Sequence, residues 1–271
     1  MKTISGLGKG SRTRLAEIMR QTKGTITVPQ AAAILRLPAP MASKLLSRWT
    51  NQGWLSRVRQ GLYVPVPLEA RTPDVALEDP WIIAEQLYSP CYIGGWSAAE
   101  YWGLTEQLFR TIVVMTTRKP RVRKPSLKGT SFLVRTVPEK ALFGAKPVWR
   151  GRVKVNVSDE TRTVLDMLND PALGGGLRPT VDVFKSYLKS DQKDTDLLIS
   201  YADRLGNGAV FKRLGFLSER FAKEEKNLIE ACRSRLTTGN AKLDPSLPAD
   251  RLATVWKLWV PAAWTKEKTG D

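Results

Sequence analysis

The apolar positions near the start of the chain fall into a regular succession of short elements. Leu15, Ile18 and Met19 recur at helical spacing behind Ser11, a residue suited to cap a helix start, and Gly24 closes the stretch. Thr25-Ile26-Thr27 is short and β-branched, which predicts a strand. Val28-Pro29 begins a second helix, because proline in the first turn has no N–H to waste there, and Ala31, Ala32, Ile34 and Leu35 would pack inward. Leu37-Pro38-Ala39-Pro40 breaks it, since a proline turns the preceding residue away from helical geometry. Residues 40–51 predict a third helix with Ala42, Leu45, Leu46 and Trp49 as its buried stripe; Met41, Ser43, Lys44, Ser47 and Arg48 remain on the outer side. Gln52-Gly53 stops it. Trp54 to Val58 and Leu62-Tyr63-Val64 then flank Arg59-Gln60-Gly61 as a hairpin. Helix, strand, helix, proline turn, helix and hairpin, in that order, predict a winged helix-turn-helix.

Pro65-Val66-Pro67 and Thr72-Pro73 suggest a linker, so domains are expected at 1–72 and 73–271. In the part 73–170, Asp79-Pro80 opens a helix through Leu87. Cys91-Tyr92-Ile93 and residues 111–117, 131–137 and 153–157 are candidate strands, and 98–102 a short helix. Ser158 or Asp159 caps a helix on which Val164, Leu165 and Leu168 pack. The part 171–271 is mainly helical, with helices expected over 181–189, 194–205, 209–219 and 223–235. Gly174-Gly175-Gly176 is expected to be a flexible joint, and no Gly-Lys-Ser/Thr follows it to cradle a phosphate. Residues 255–260 alternate as a half-exposed strand, and Lys266-Glu267-Lys268 are expected to fray. The predicted class is α+β: an N-terminal winged helix-turn-helix, a mixed α/β layer and a helical C-terminal region.

Charge sharpens the reading of the first module. The 271-residue chain carries a formal net charge of +17. Up to Thr72, Lys2, Lys9, Arg12, Arg14, Arg20, Lys23, Arg36, Lys44, Arg48, Arg57, Arg59 and Arg71 are opposed only by Glu17 and Glu69. Such a field attracts polyanions, and short hydroxyls beside long cations on a helix are groups that reach base edges and phosphates in a major groove. The expected DNA contacts are Met41, Ser43, Lys44, Ser47 and Arg48 on the third helix, Arg57 and Arg59 near the wing tip, and Arg12, Arg14 and Lys23 on the backbone. Arg118, Lys119, Arg121, Arg123 and Lys124, interleaved with Pro120 and Pro125 and free of acids, form either a solvated loop or a second polyanion contact that Trp149, Arg150 and Arg152 could extend.

Other classes are narrowed by what is missing. There is no histidine, which removes His-based acid–base catalysis, Ser-His-Asp and Cys-His arrangements, and Cys/His zinc sites. Cys91 and Cys232 read as buried small hydrophobes. No run of 18 apolar residues and no apolar leader occur, so a cytoplasmic protein is expected. Asp159, Glu160 and Asp166, with Glu139-Lys140, suggest a metal-dependent nuclease as an alternative, but helix capping explains the first carboxylates and their spacing matches no demanding metal motif. A protein-binding adaptor is the other alternative. No catalytic residue, metal or cofactor is expected.

The winged N-terminus, Gly94-Gly95-Trp96-Ser97-Ala98-Ala99-Glu100-Tyr101-Trp102-Gly103-Leu104, the Val157 to Leu168 segment, Arg213-Leu214-Gly215-Phe216-Leu217, and Leu243-Asp244-Pro245 before a Trp-containing segment together resemble the AbiEi family. These are antitoxins of type IV toxin–antitoxin (abortive-infection) systems, and the likeness runs over nearly the whole chain. The resemblance implies a repressor of its own operon that binds promoter inverted repeats in double-stranded DNA. It also implies a C-terminal domain that counteracts a cognate nucleotidyltransferase-like toxin, without a stable complex. The cationic 118–124 segment departs from the family's pattern and blurs that division of labour.

Overall fold

The structure, a computed structural model, describes residues 6, 8–67, 69–70, 72, 77 and 79–264. Lys2, Arg71, Pro73 of the expected linker and the tail Lys266-Glu267-Lys268 lie outside the described residues.

The N-terminal module is built from α1 (Lys9–Gln21), β1 (Ile26–Thr27), α2 (Val28–Leu35), α3 (Ala39–Asn51), β2 (Leu55–Arg59) and β3 (Leu62–Pro65). Helix α1 starts behind Gly8, so Ser11 lies inside its first turns and is not its cap. Leu15 and Ile18 are buried as expected, but Met19, one position round the helix, is 46% exposed. Helix α2 is fixed by a reciprocal cap: the Gln30 N–H donates to Thr27 Oγ1 at 3.3 Å and the Thr27 N–H donates to Gln30 Oε1 at 2.9 Å. Ala42, Leu45, Leu46 and Trp49 of α3 all enter a core shared with Leu15, Ile18, Ile26, Leu55 and Tyr63. The three strands form a sheet in the order β1-β3-β2, with a register shift between Arg57 and Arg59.

The following layer contains α4 (Pro80–Tyr88), β4 (Cys91–Ile93), α5 (Gly95–Tyr101), β5 (Thr111–Thr116), β6 (Ser126–Leu127), β7 (Thr130–Thr136), β8 (Ala145–Arg150) and β9 (Val153–Ser158). Its strands make a mixed six-stranded sheet, β6-β7-β5-β4-β9-β8. One face packs under α4 through Ile93, Val114, Phe132, Val134, Val155 and Val157. The other takes Trp96 of α5 and Leu173 against Tyr92, Val113, Met115 and Leu133. Val58, Leu62 and Val64 of the wing belong to the same core as α4.

Helices α6 (Glu160–Asn169), α7 (Leu177–Lys189), α8 (Thr195–Leu205), α9 (Gly208–Phe221) and α10 (Lys226–Ser234) form the helical part, completed by β10 (Ala241–Lys242), β11 (Arg251–Ala253) and β12 (Leu258–Val260). Residues 160–168 of α6 are all buried, which identifies it as the central element, packed by α5, α7, α8 and α9. Asp159 caps its start through the Arg162 N–H at 2.7 Å. At its other end Arg213 of α9 donates to the Leu168 and Asn169 carbonyls at 2.8 and 3.0 Å, supplying a cation where the helix leaves its carbonyls unpaired.

Two expectations fail here for packing reasons. The glycine triplet is no flexible joint: the Gly176 N–H bonds the Pro171 carbonyl at 2.9 Å, and a Cβ on Gly174 would meet Thr180 Oγ1 at 2.3 Å. Residues 255–260 are not one alternating strand. Thr254–Trp256 is a 3-10 turn, Lys257 takes a left-handed conformation, and only Leu258–Val260 is strand. The cause is the Trp256 indole, which fills the notch left by Gly215, where a Cβ would stand 2.0 Å from the ring.

Sheet and helices are joined by a closed polar triad. Arg162 Nε donates to Asp166 at 2.8 Å, Arg162 Nη2 to the Tyr92 hydroxyl at 2.9 Å, and that hydroxyl to the other Asp166 oxygen at 2.9 Å. Burial pushes the Asp166 carboxyl up from its ordinary value, while Arg162 and Tyr92 oppose that rise. Removing one member strands the other charge. Asp166→Ala is therefore expected to lower stability by about 3–5 kcal/mol, read as a shifted urea midpoint; a loss under about 1 kcal/mol would show that the triad does not hold the layers together.

Candidate nucleic-acid interface

Helix α3 owes its exposed side to the spacing of its buried one. With Ala42, Leu45, Leu46 and Trp49 turned inward, Met41, Lys44 and Arg48 run in line along the outer face, Met41 being 56% exposed. Ser43 and Ser47 lie half-buried on the flank. Ser47 is tied to the wing, because Arg57 Nη2 donates to its Oγ at 3.2 Å. The Arg57 guanidinium also sits 5.5 Å from the centre of the Tyr63 ring, its cross-strand partner. Arg57 is thus in the middle of β2, beside the recognition face, and not at the wing tip as the sequence suggests. Arg59 alone of the two is at the tip, exposed before Gln60-Gly61.

Among the described residues, Lys44, Arg48 and Arg59 make no ion pair with a carboxylate. Their charge is consequently available to an external anion. Arg12, Arg14 and Lys23 are exposed too. Arg12 and Lys23 line a groove between α1, the wing and the β8–β9 turn, facing Arg150, Gly151 and Arg152, which sets them apart from the α3 stripe.

The five cations of the 118–124 segment are all exposed, yet the backbone that carries them is held. The Arg118 N–H donates to Thr116 Oγ1 at 3.0 Å, and Thr136 Oγ1 donates to the Arg118 carbonyl at 3.1 Å. The Val134 and Phe132 N–H groups bond the Arg123 and Pro125 carbonyls at 2.8 and 2.9 Å. The segment is a strap along β7. Its first residue is tied through Thr116 Oγ1 to the Tyr88 and Pro90 carbonyls, at one corner of the fold. Burial raises the Tyr88 hydroxyl pKa, with the Arg59 charge opposing it. Burial likewise raises the neighbouring Cys91 thiol, with Glu85 adding to the rise and Arg118 opposing it. Trp149, Arg150 and Arg152 do not extend this strap. They sit on the β8 edge, across the whole sheet from β7, roughly 20 Å away at normal strand spacing.

The carboxylates that suggest a nuclease each have a partner. Asp159 caps α6 and accepts the Tyr201 hydroxyl at 3.1 Å, Glu160 pairs with Lys146 at 2.9 Å, and Asp166 closes the buried triad. Glu139 stands exposed in a 3-10 turn. No group of three or more His, Cys, Asp or Glu side chains among the described residues is placed to hold a metal ion. Both thiols are buried, and burial pushes Cys232 up to about 12, so neither ionises readily into a nucleophile near neutral pH. No helix among the described residues is long and apolar enough to cross a membrane.

Comparison with known proteins agrees with this geometry. The chain superimposes on the crystal structure of the RV2827C protein from Mycobacterium tuberculosis with a TM-score of 0.64 at 14% identity, covering 96% of this chain and 94% of that one, a likeness of fold. No curated protein sequence matches it. Residues 14–66, which hold α3 and the wing, match the family described as "Transcriptional regulator, AbiEi antitoxin". The match is confined to this N-terminal module, which is similar to a transcriptional regulator of the AbiEi antitoxin type.

Proposed function

We propose that this protein is the DNA-binding antitoxin and autorepressor of a type IV toxin–antitoxin operon in the cytoplasm, with no catalytic activity of its own. The observation that carries the DNA half is the α3 face: Met41, Lys44 and Arg48 in line, Lys44 and Arg48 free of carboxylate partners among the described residues, with Ser47 braced by Arg57 from the wing. In this reading α3 lies in the major groove of promoter DNA. Ser43, Lys44, Ser47 and Arg48 reach base edges or phosphates, and Met41 makes an apolar contact such as a thymine methyl accepts. Arg57 and Arg59 hold the wing on the adjacent backbone, and Arg12, Arg14 and Lys23 contribute further phosphate contacts. The exposed cations of the 118–124 strap would meet flanking DNA. Two copies would occupy inverted repeats one helical turn or a multiple apart.

The toxin half rests on the resemblance to AbiEi antitoxins, which the family match supports over residues 14–66. Residues 1–72 would serve the operator, and 73–271 would counteract a nucleotidyltransferase-like toxin without a stable complex. The adaptor reading is weaker, because the α3 face is cationic where a protein-binding groove would be apolar.

Retention of the DNA upstream of its own gene, against a scrambled competitor at physiological salt, is expected to be specific and to vanish in the Lys44→Ala, Arg48→Ala double variant; equal retention of both DNAs would sink the repressor reading. Arg48→Ala alone should cost ~1–3 kcal/mol at one operator position, seen in a scan of single-base operator changes. A loss spread evenly over all sequences would assign Arg48 to a phosphate instead. If about six phosphates are neutralised, log affinity should fall against log salt with a slope of roughly −5. Replacing Arg118, Arg121 and Arg123 by Ala should flatten that slope by roughly 0.9 for each phosphate the strap no longer neutralises. A salt-independent affinity in the wild type would favour the adaptor.

A further inference from the structure

The β8–β9 hairpin carries a second surface that the duplex-binding reading leaves unused. Residues 145–157 hold four cations, Lys146, Arg150, Arg152 and Lys154, and no acid. Two of the four anchor the hairpin. Lys146 pairs with Glu160 at 2.9 Å, and Arg150 pairs with Asp79 at 2.7 Å while lying 5.0 Å from the centre of a Trp81 ring. The other two are exposed and have no carboxylate partner among the described residues: Arg152 at the tip and Lys154 on β9. Trp149 faces Lys154 across the strands, with the ammonium 5.0 Å from its ring centre, and is 62% exposed. Strand β8 is the edge of its sheet, paired on one side only. Past the tip, Arg152 borders a groove of about 1320 Å³ whose opposite bank carries Arg12 and Lys23.

The geometry points to a binding platform for single-stranded nucleic acid, with a base stacked on Trp149 and the flanking phosphates on Lys154 and Arg152. An indole offers a flat face that any base can stack on, and the cations beside it match the charge of the linking phosphates. A duplex keeps its bases stacked on one another and cannot use such a ring, so the indole selects an unpaired strand. The open edge of β8 adds unpaired backbone donors and acceptors at the same place. An acidic protein segment would satisfy the cations but would gain nothing from a stacking face.

Fluorescence anisotropy of the full chain with labelled 15-mers of uridine and of thymidine tests the platform. Trp149→Ala is expected to weaken binding about tenfold, Trp149→Phe to retain most of it, and the Arg152→Ala, Lys154→Ala double variant to flatten the salt slope by roughly 1.4. Binding of the promoter duplex is expected to be unchanged by Trp149→Ala, so a failure of the platform and a failure of the repressor reading register on different probes. A preference for the uridine or the thymidine strand would identify the platform as an RNA or a DNA site. The proposal is overturned if Trp149→Ala binds both oligonucleotides as tightly as wild type, or if it weakens duplex and single strand alike. It is also overturned if the wild type captures polyglutamate and neither oligonucleotide.

Discussion

The wing is buried on both of its faces, and the placement of every candidate contact depends on that. Leu55 and Tyr63 point into the core beneath α3, while Val58, Leu62 and Val64 point into the core beneath α4. Alternation along a strand sends neighbouring side chains to opposite sides, so a five-residue and a four-residue strand can be shared by two cores at once. Hydrophobic burial on each side, worth about 25 cal/mol per Å², fixes the orientation of the winged helix on the α/β layer. Modules joined by a linker alone would be free to swing. Here the position of Arg59 relative to the 118–124 strap is set by packed side chains.

The same chain spends many cations on its own architecture. Arg162 is 1% exposed and Arg213 is also buried; one closes the triad with Tyr92 and Asp166, and the other caps the end of α6. Arg135, Arg150, Arg233 and Arg235 pair with carboxylates, as do Lys146 and Lys193. Taking a guanidinium out of water is costly unless each donor is met, and Arg162 and Arg213 are both met by several acceptors. The formal charge of +17 therefore overstates the number of cations free to hold a ligand. What matters is where the unopposed ones fall, among them those on α1, on α3, at the wing tip, on the strap and at the β8–β9 tip.

Legibility in the sequence tracks how local the determining physics is. Helices α2 and α3 can be read because their signals are their own: proline in a first turn and a four-residue apolar stripe. The same holds for the Asp159 cap of α6 and the Asp194 cap of α8. Strand β8 is hidden because its exposed Lys146, Pro147 and Trp149 lack the apolar density of a buried strand, and only pairing with β9 reveals it. The alternation around Trp256 misleads because it is broken by a partner far back in the chain, Gly215, whose missing side chain makes the space for the ring. Counting from Gly61 puts Arg57 near the tip; the register shift before Arg59 and the bond to Ser47 put it beside α3. In the site, the exposed stripe on α3 is legible, while the distance of the strap from Trp149 is not, since it follows from strand order.

Strand order also decides how the charged surfaces interact. The strap runs beside β7 and the Trp149 hairpin forms the β8 edge of one sheet, with β5, β4 and β9 between. At a Debye length of about 8 Å in physiological salt, a separation of roughly 20 Å leaves little direct coupling between the two edges. An anion bound at one edge neither recruits nor repels one at the other to a measurable degree. The wing tip and the start of the strap both act on the corner that holds Tyr88 and Cys91, Arg59 on the first and Arg118 on the second. In the proposed reading the α3 face would serve the regular phosphates of a duplex, and the exposed Trp149 ring on the far edge would do what charge alone cannot: distinguish an unpaired base from a paired one.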